Sequence, residues 1–340
     1  MTRKILYGVQ GTGQGHISRA RSVAQAFRDY DVDVTWLFSG RPKDKFFDME
    51  PFGNFKYREG LTMVTEAGKM KYRKTAIGVS PATFIKDATS LNLDPYDLIV
   101  CDYEPVTSWA CKARGREAIG IGHQYAFGKN TPITGDTPMS RLVMQQFAPV
   151  DVPVGLHWAA FDENVLPPIL DLPEIDTTAK ADHILVYLPF ESQNVTTAWL
   201  QGFPNQSFIQ YSPEVSDGVQ GNVVRRKANI HGFKRDLAAA KGVICNTGFE
   251  LISECLQWKK PVLTRPLAKQ MEQLSNAAAL EQLGYATTMQ SLETQTARRW
   301  LDAMPEAPDV HFKDVAAALA EWLARGASRP VAELTGQLWS

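Results

Sequence analysis

Lys4-Ile5-Leu6-Tyr7-Gly8-Val9 runs into Gly11-Thr12-Gly13-Gln14-Gly15-His16, and an amphipathic segment over residues 17–27 follows. An apolar run of strand length, a glycine turn and a helical period, in that order, predict a strand, a tight loop and a helix. After residue 180 the pattern returns with His183-Ile184-Leu185-Val186-Tyr187-Leu188-Pro189, then with Cys245-Asn246-Thr247-Gly248 ahead of a helix bearing Glu254. Two such units predict an α/β chain of two Rossmann-like domains whose parallel sheets face a central cleft.

The intervening sequence supports this alternation. Strand patterns at residues 4–9, 34–38, 98–101 and 118–121 alternate with helical patterns around 19–28, 83–91 and 106–114. Pro149, Pro153, Pro167, Pro168 and Pro173 then mark a hinge. The expected division is residues 1–160 and 180–310 as the two domains, with 311–340 as helices packing back on the first.

A chain of 340 residues, 44% of them apolar, can fill two cores. Its formal net charge of -1 excludes the broad basic surface with which duplex-binding proteins neutralise phosphates, so nucleic acid is not an expected partner. Cys101, Cys111, Cys245 and Cys255 form no C-x-x-C pair and read as free thiols. The opening Met1-Thr2-Arg3-Lys4 leads straight into a strand, and no apolar run approaches the ~18 residues of a membrane span, so a cytoplasmic protein is expected. Arg41, Lys43 and Lys45 beside Phe46 and Phe47, with a second basic and aromatic stretch at residues 69–74, suggest peripheral contact with the inner face of a membrane; the alternative is a solvated insert with its phenylalanines turned inward.

Several residues can carry chemistry. Gly11, Gly13 and Gly15, with Thr12, let backbone approach a ligand at a helix N-terminus. The loop lacks the third glycine of G-x-G-x-x-G, and the second strand ends in Phe38-Ser39-Gly40 without an acid, which argues against a dinucleotide site. His16 at the mouth of the loop can take a proton from a hydroxyl, or can simply bond the helix start. Arg19, one turn on, can reach a phosphate or lie solvated. Asp102 and Glu104 end a strand at the ligand-binding edge and can share the base role or cap the next helix. His123 and Gln124 face the same edge. Downstream, Ser192 and Gln193 with Asn246, Thr247 and Gly248 precede helix N-termini able to cradle a diphosphate, or Ser192 simply caps its helix; Glu254 can accept ribose hydroxyls or lie solvated on its helix, and Glu272 and Gln273 can bind a sugar or serve the fold. No D-x-D carboxylate pair calls for a divalent metal.

These residues resemble the GT-B glycosyltransferases of the MurG-like group, which move sugars from UDP to lipid-linked or related acceptors. Gly11 to His16 is similar to that group's glycine loop, and Glu191-Ser192-Gln193 to its second phosphate loop, without the flanking glycines. Cys245 to Gly248, Ser253-Glu254, Pro261, Pro266, Glu272-Gln273 and Asn276-Ala277 resemble its donor signature. Asp102-Tyr103-Glu104-Pro105 with Gly122-His123-Gln124 is closer to an uncharacterised MurG-like subfamily than to the peptidoglycan enzyme.

The resemblance implies an inverting, metal-independent transferase with no cofactor beyond its nucleotide-sugar co-substrate, a UDP-sugar. The donor is expected on the second domain at Ser192, Gln193, Asn246, Thr247, Gly248, Glu254, Glu272 and Gln273, with Phe233 flanking the base. An acceptor, lipid-linked or otherwise, enters from the first domain at Gly11, Thr12, Gly13, Gly15, Arg19 and His123. His16, or else Asp102 or Glu104, is the base. A UDP-sugar 2-epimerase of the same fold and a non-catalytic sugar-nucleotide or lipid-binding protein are the alternatives.

Overall fold

The structure, a computed structural model, describes residues 2–61, 65–66, 69–70, 81–177 and 181–340. The basic and aromatic residues Lys71, Tyr72, Arg73 and Lys74 lie outside the described residues.

Strand β1 (Arg3–Gln10) buries Ile5, Leu6, Tyr7 and Val9 on both of its faces, as a central strand covered on two sides must. β2 (Val32–Ser39) and β3 (Lys56–Tyr57) extend the sheet one way. Beyond a small antiparallel hairpin, β4 (Thr65–Glu66) with β5 (Lys69–Met70), the chain crosses β1 and continues the other way through β6 (Leu98–Asp102), β7 (Ile119–Gly122), β8 (Val152–Leu156) and β9 (Val165–Leu166). The spatial order is β3-β2-β1-β6-β7-β8-β9, and every pairing is parallel. The order reverses between β1 and β6, so the loops after those strands open a crevice at their carboxyl ends.

The second sheet repeats the plan with β10 (His183–Tyr187), β11 (Ser207–Ser212), β12 (Gly218–Gln220), β13 (Val223–Lys227), β14 (Gly242–Asn246), β15 (Val262–Arg265) and β16 (Thr287–Thr288). Its order is β12-β13-β11-β10-β14-β15-β16, with β12 antiparallel to β13 at one edge. Its own crevice lies between β10 and β14.

One apolar cluster joins the halves. His123 of the first stacks on Phe249 of the second with ring centroids 4.0 Å apart and planes 5° from parallel, and buried Trp158 lies against the same phenyl ring. The terminal helices return to the first sheet: Val315–Ala324 packs on Gln14–Ala26, and Val331–Trp339 on β9, where Trp339 Nε1 donates to the Val165 carbonyl at 2.7 Å.

In the basic insert the two phenylalanines part. Phe46 turns inward among Phe38, Phe55 and Tyr57, while Arg41 lies over its ring and donates to the Thr12 carbonyl. Phe47 alone of the pair remains out, 48% exposed.

Leu334 is 1% exposed where the last helix meets the first sheet. Leu334→Ala is expected to cost about 2–4 kcal/mol of stability, read as a lower urea midpoint with unchanged slope.

Candidate active site

The three loop glycines serve three different ends. A Cβ at Gly11 would meet the Phe46 ring at 2.6 Å, and one at Gly15 would meet a Glu250 carboxylate oxygen at 2.4 Å. Only Gly13 faces open space, with nothing within 4 Å. It caps the helix Gln14–Ala26 in extended conformation without a side-chain acceptor, which leaves that helix's first amides to a ligand. Thr12 is exposed and its hydroxyl donates to Gly40 O at 3.3 Å.

His16, on the first turn of that helix, has Nδ1 2.7 Å from Asp102 Oδ1 and 2.6 Å from Arg19 Nη2, so Nδ1 is engaged within the fold and Nε2 is the nitrogen left to a ligand. Asp102, fully buried at the end of β6, also accepts from Arg19 Nε at 2.7 Å and from its Nη2. Burial works to raise the Asp102 carboxyl, but Arg19 and His16 outweigh it and hold the group below the usual carboxylate range. Its ionised form therefore contributes stability above the unfolded value near about 3.9 and gives it up as pH falls through the lower folded value. Arg19 is 2% exposed; burial would lower its pKa, yet Asp102 and Glu250 raise it, so the guanidinium stays charged. Its Nη1 pairs with Glu250 of the second half. Arg19 is thus an internal counter-ion, which corrects the expectation that it reaches a phosphate or acceptor.

Glu104 is corrected too. Tyr103 adopts φ +50° and turns the chain, so Glu104 caps the helix Pro105–Arg114, accepting from Val106 N at 2.8 Å, from Thr107 N at 2.7 Å and from Ser39 Oγ. Burial raises its pKa. A carboxylate with no exposed surface and its lone pairs on backbone amides is no base for the cleft. His123 likewise spends both nitrogens inside: Nδ1 donates to Leu156 O at 2.8 Å and Nε2 bonds the Asn276 side-chain amide at 2.7 Å. It fastens the two halves together and does not belong to an acceptor loop.

On the second half, Gln193 is buried with Nε2 on the carbonyls of Leu188 and Glu191, holding its own loop in shape, which corrects its assignment to the donor. Gln273 Oε1 accepts from Leu267 N, and Thr247 Oγ1 bonds Thr264 Oγ1, so these too are engaged within the fold. Ser192 is exposed at the start of the helix Gln193–Gln201 and caps nothing with its hydroxyl. Gly248 starts the helix Phe249–Gln257 with open space at its Cβ position. Asn246 donates to Arg265 O, while its buried Oδ1 has no partner among the described residues. Phe233 packs edge-on against Tyr187 and Tyr211. Glu254 is 5% exposed and paired with Lys234, whose ammonium also donates to Asp171 O at 2.9 Å. Burial raises the Glu254 pKa against the opposing pull of Lys234.

Between the halves lies a cleft of about 400 Å³, bordered by Gly13, His16, Phe190, Glu250 and Glu272. Glu272 accepts from Gln124 Nε2 at 3.3 Å across it. Sequence reasoning missed its apolar wall, Tyr103, Val143, Met144 and Phe147, because the helix Pro138–Gln146, which carries Val143 and Met144 and is capped by Phe147, is announced only by a Thr137–Ser140 capping box. It also missed Gln10 and Gln270, which line the cleft and whose buried Oε1 atoms have no partners among the described residues. The described residues include no cluster of His, Cys, Asp or Glu suited to a metal ion.

Because Glu104 caps a helix, Glu104→Ala is expected to lower stability by about 1–2 kcal/mol while turnover is unchanged. Parallel denaturation and rate measurements check both halves of that statement.

The profile of the family described as glycosyl transferase family 1 matches residues 3–305. No curated protein matches the sequence. Among solved structures, the glycosyltransferase SnogD of Streptomyces nogalater is similar at 14% identity and TM-score 0.52, with 99% of each chain covered. MurG of Acinetobacter baumannii gives 15% identity and TM-score 0.55 over 99% of this chain and 100% of its own. A UDP-N-acetylglucosamine 2-epimerase gives 10% and 0.59 over 96% and 97%. At such identities the likeness is one of fold, and that fold is GT-B.

Proposed function

The chain belongs to glycosyl transferase family 1 and is a sugar-transferring enzyme, and from that footing we propose an inverting, metal-independent transfer from a UDP-sugar to an acceptor hydroxyl, with His16 as general base. The observation that carries this reading is the 2.7 Å bond from His16 Nδ1 to buried Asp102, at the edge of a cleft shared by both halves. With Nδ1–H fixed, Nε2 takes the hydroxyl proton as the oxygen attacks C1 of the donor sugar. The C1–O bond to the diphosphate breaks and its electron pair leaves on the diphosphate, giving a glycoside of inverted configuration and UDP. Asp102 orients the imidazole and stabilises its protonated form.

The donor is assigned to the second half. The helix N-terminus at Gly248, with that of Gln193–Gln201 beyond Ser192, supports the departing negative charge. Asn246, Glu254 and Phe233 serve the nucleoside side and Glu272 the sugar, with Gln10 and Gln270 also lining the cleft. Ribose must take Glu254 in competition with Lys234. The wall of Val143, Met144 and Phe147, continued outward by Met139 at 61% and Leu142 at 53% exposure, favours an acceptor with an apolar portion, lipid-linked acceptors among them.

A thermal-shift screen of nucleotide sugars, followed by UDP release with and without apolar acceptor alcohols, tests the reading. Stabilisation by no nucleotide sugar would remove it. An epimerase, the second reading prompted by the fold, would convert the sugar with donor alone.

In the same assay His16→Ala is expected to cut turnover by about 10²–10⁴ while leaving donor affinity nearly intact. Glu254→Ala is expected to weaken UDP binding by about 1–3 kcal/mol in calorimetry. Equal affinity would show that the ribose sits elsewhere.

A further inference from the structure

We infer that Glu250, on the second half, is a positioning residue that completes the base assembly of the first half. The inference rests on the base role of His16 proposed above. Arg19 holds Asp102 with two of its nitrogens and Glu250 with the third. Alone, Arg19 would cancel the charge of Asp102, and His16 would face a neutral pair. Glu250 restores one net negative charge to the buried group, which then matches the positive charge His16 gains as it accepts the hydroxyl proton.

The geometry ties this charge to the contact between the halves. Glu250 is the second residue of the helix Phe249–Gln257 and approaches the first turn of the His16 helix so closely that a Cβ on Gly15 would lie 2.4 Å from its carboxylate. Glycine at that position is therefore needed by the contact between the halves. Glu250 is 24% exposed and borders the cleft, so it stands between solvent and Arg19. Arg19 and Asp102 belong to the first half and Glu250 to the second, so the negative charge at the base assembly depends on the contact between the halves.

The groups facing His16 are Arg19 on its own helix, Asp102 at the end of β6 and Glu250 from the opposite helix, with Tyr103 and Glu272 on the same cleft. Burial raises Tyr103 far enough to keep it neutral near neutral pH.

The test follows the imidazole resonances of the full chain by nitrogen-15 NMR across pH, with His16 assigned by loss of its signal in His16→Gln. Glu250→Gln removes the charge and keeps the shape; Gly15→Ala keeps every charge and pushes the carboxylate away. Both are expected to move the His16 midpoint to lower pH, by about 0.5–1 unit. A midpoint that stays in place in either variant overturns the inference. No substrate enters this measurement, so its failure is separate from failure of the transfer reading, which the donor screen decides alone.

Discussion

A guanidinium with 2% of its surface exposed sets the terms for everything around the cleft. Arg19 can be buried there only if carboxylates meet it, because an unpaired charge in that position would cost far more than the packing around it returns. Asp102 comes from the end of β6 and Glu250 from the other half of the molecule, so one side chain fixes three elements. The crossing of the chain from β2 past β1 to β6 brings Asp102 beside the glycine turn, and the second half must dock closely enough to deliver Glu250. His16 takes its orientation from the same carboxylate. Fold topology, the contact between halves and the aim of the imidazole are therefore satisfied together.

The sequence made the strand, glycine turn and helix legible because those signals are local, and it placed His16 and an acid at one sheet edge because strand ends share an edge. It could not choose between Asp102 and Glu104. Two residues apart on a strand, both should face one way. Tyr103 breaks that expectation by entering left-handed backbone, which sends Glu104 to its helix and leaves Asp102 on Arg19. Partners distant in sequence were equally out of reach: Arg19 and Glu250 are 231 positions apart, and His123 meets Asn276 across 153. An unpaired residue type carries no record of which side chain will meet it.

The second half shows the same limit in another form. Glu254 reads as a helix acid, either solvated or reserved for ribose, yet it is enclosed with Lys234. That lysine also holds Asp171 O in the connecting segment, and the Asp171 carboxylate returns to Ser18 and Arg21 on the helix of His16. A hydroxyl pair that engages Glu254 must offer it at least what Lys234 does. The freed ammonium would keep its bond to the connecting segment, so the carboxylate can change partners without breaking that tie.

Water is the competitor that any sugar transfer must defeat, because it is itself an acceptor for an activated donor. The cleft answers this unevenly. Glu250, Gln270 and Glu272 offer polar groups on its second-half border beside Phe190 and Met271, whereas on the first half Tyr103, Val143, Met144 and Phe147 form an apolar wall. Tyr103 stacks on Phe147 with centroids 5.1 Å apart, which gives that wall a rigid face. An apolar surface next to His16 offers water no partner, and under the proposed transfer an acceptor's carbon skeleton would lie there and fill the space from which hydrolysis would start. The same exclusion lowers the local dielectric around His16, Asp102, Arg19 and Glu250, where their charges then act more strongly than they would at a wet surface.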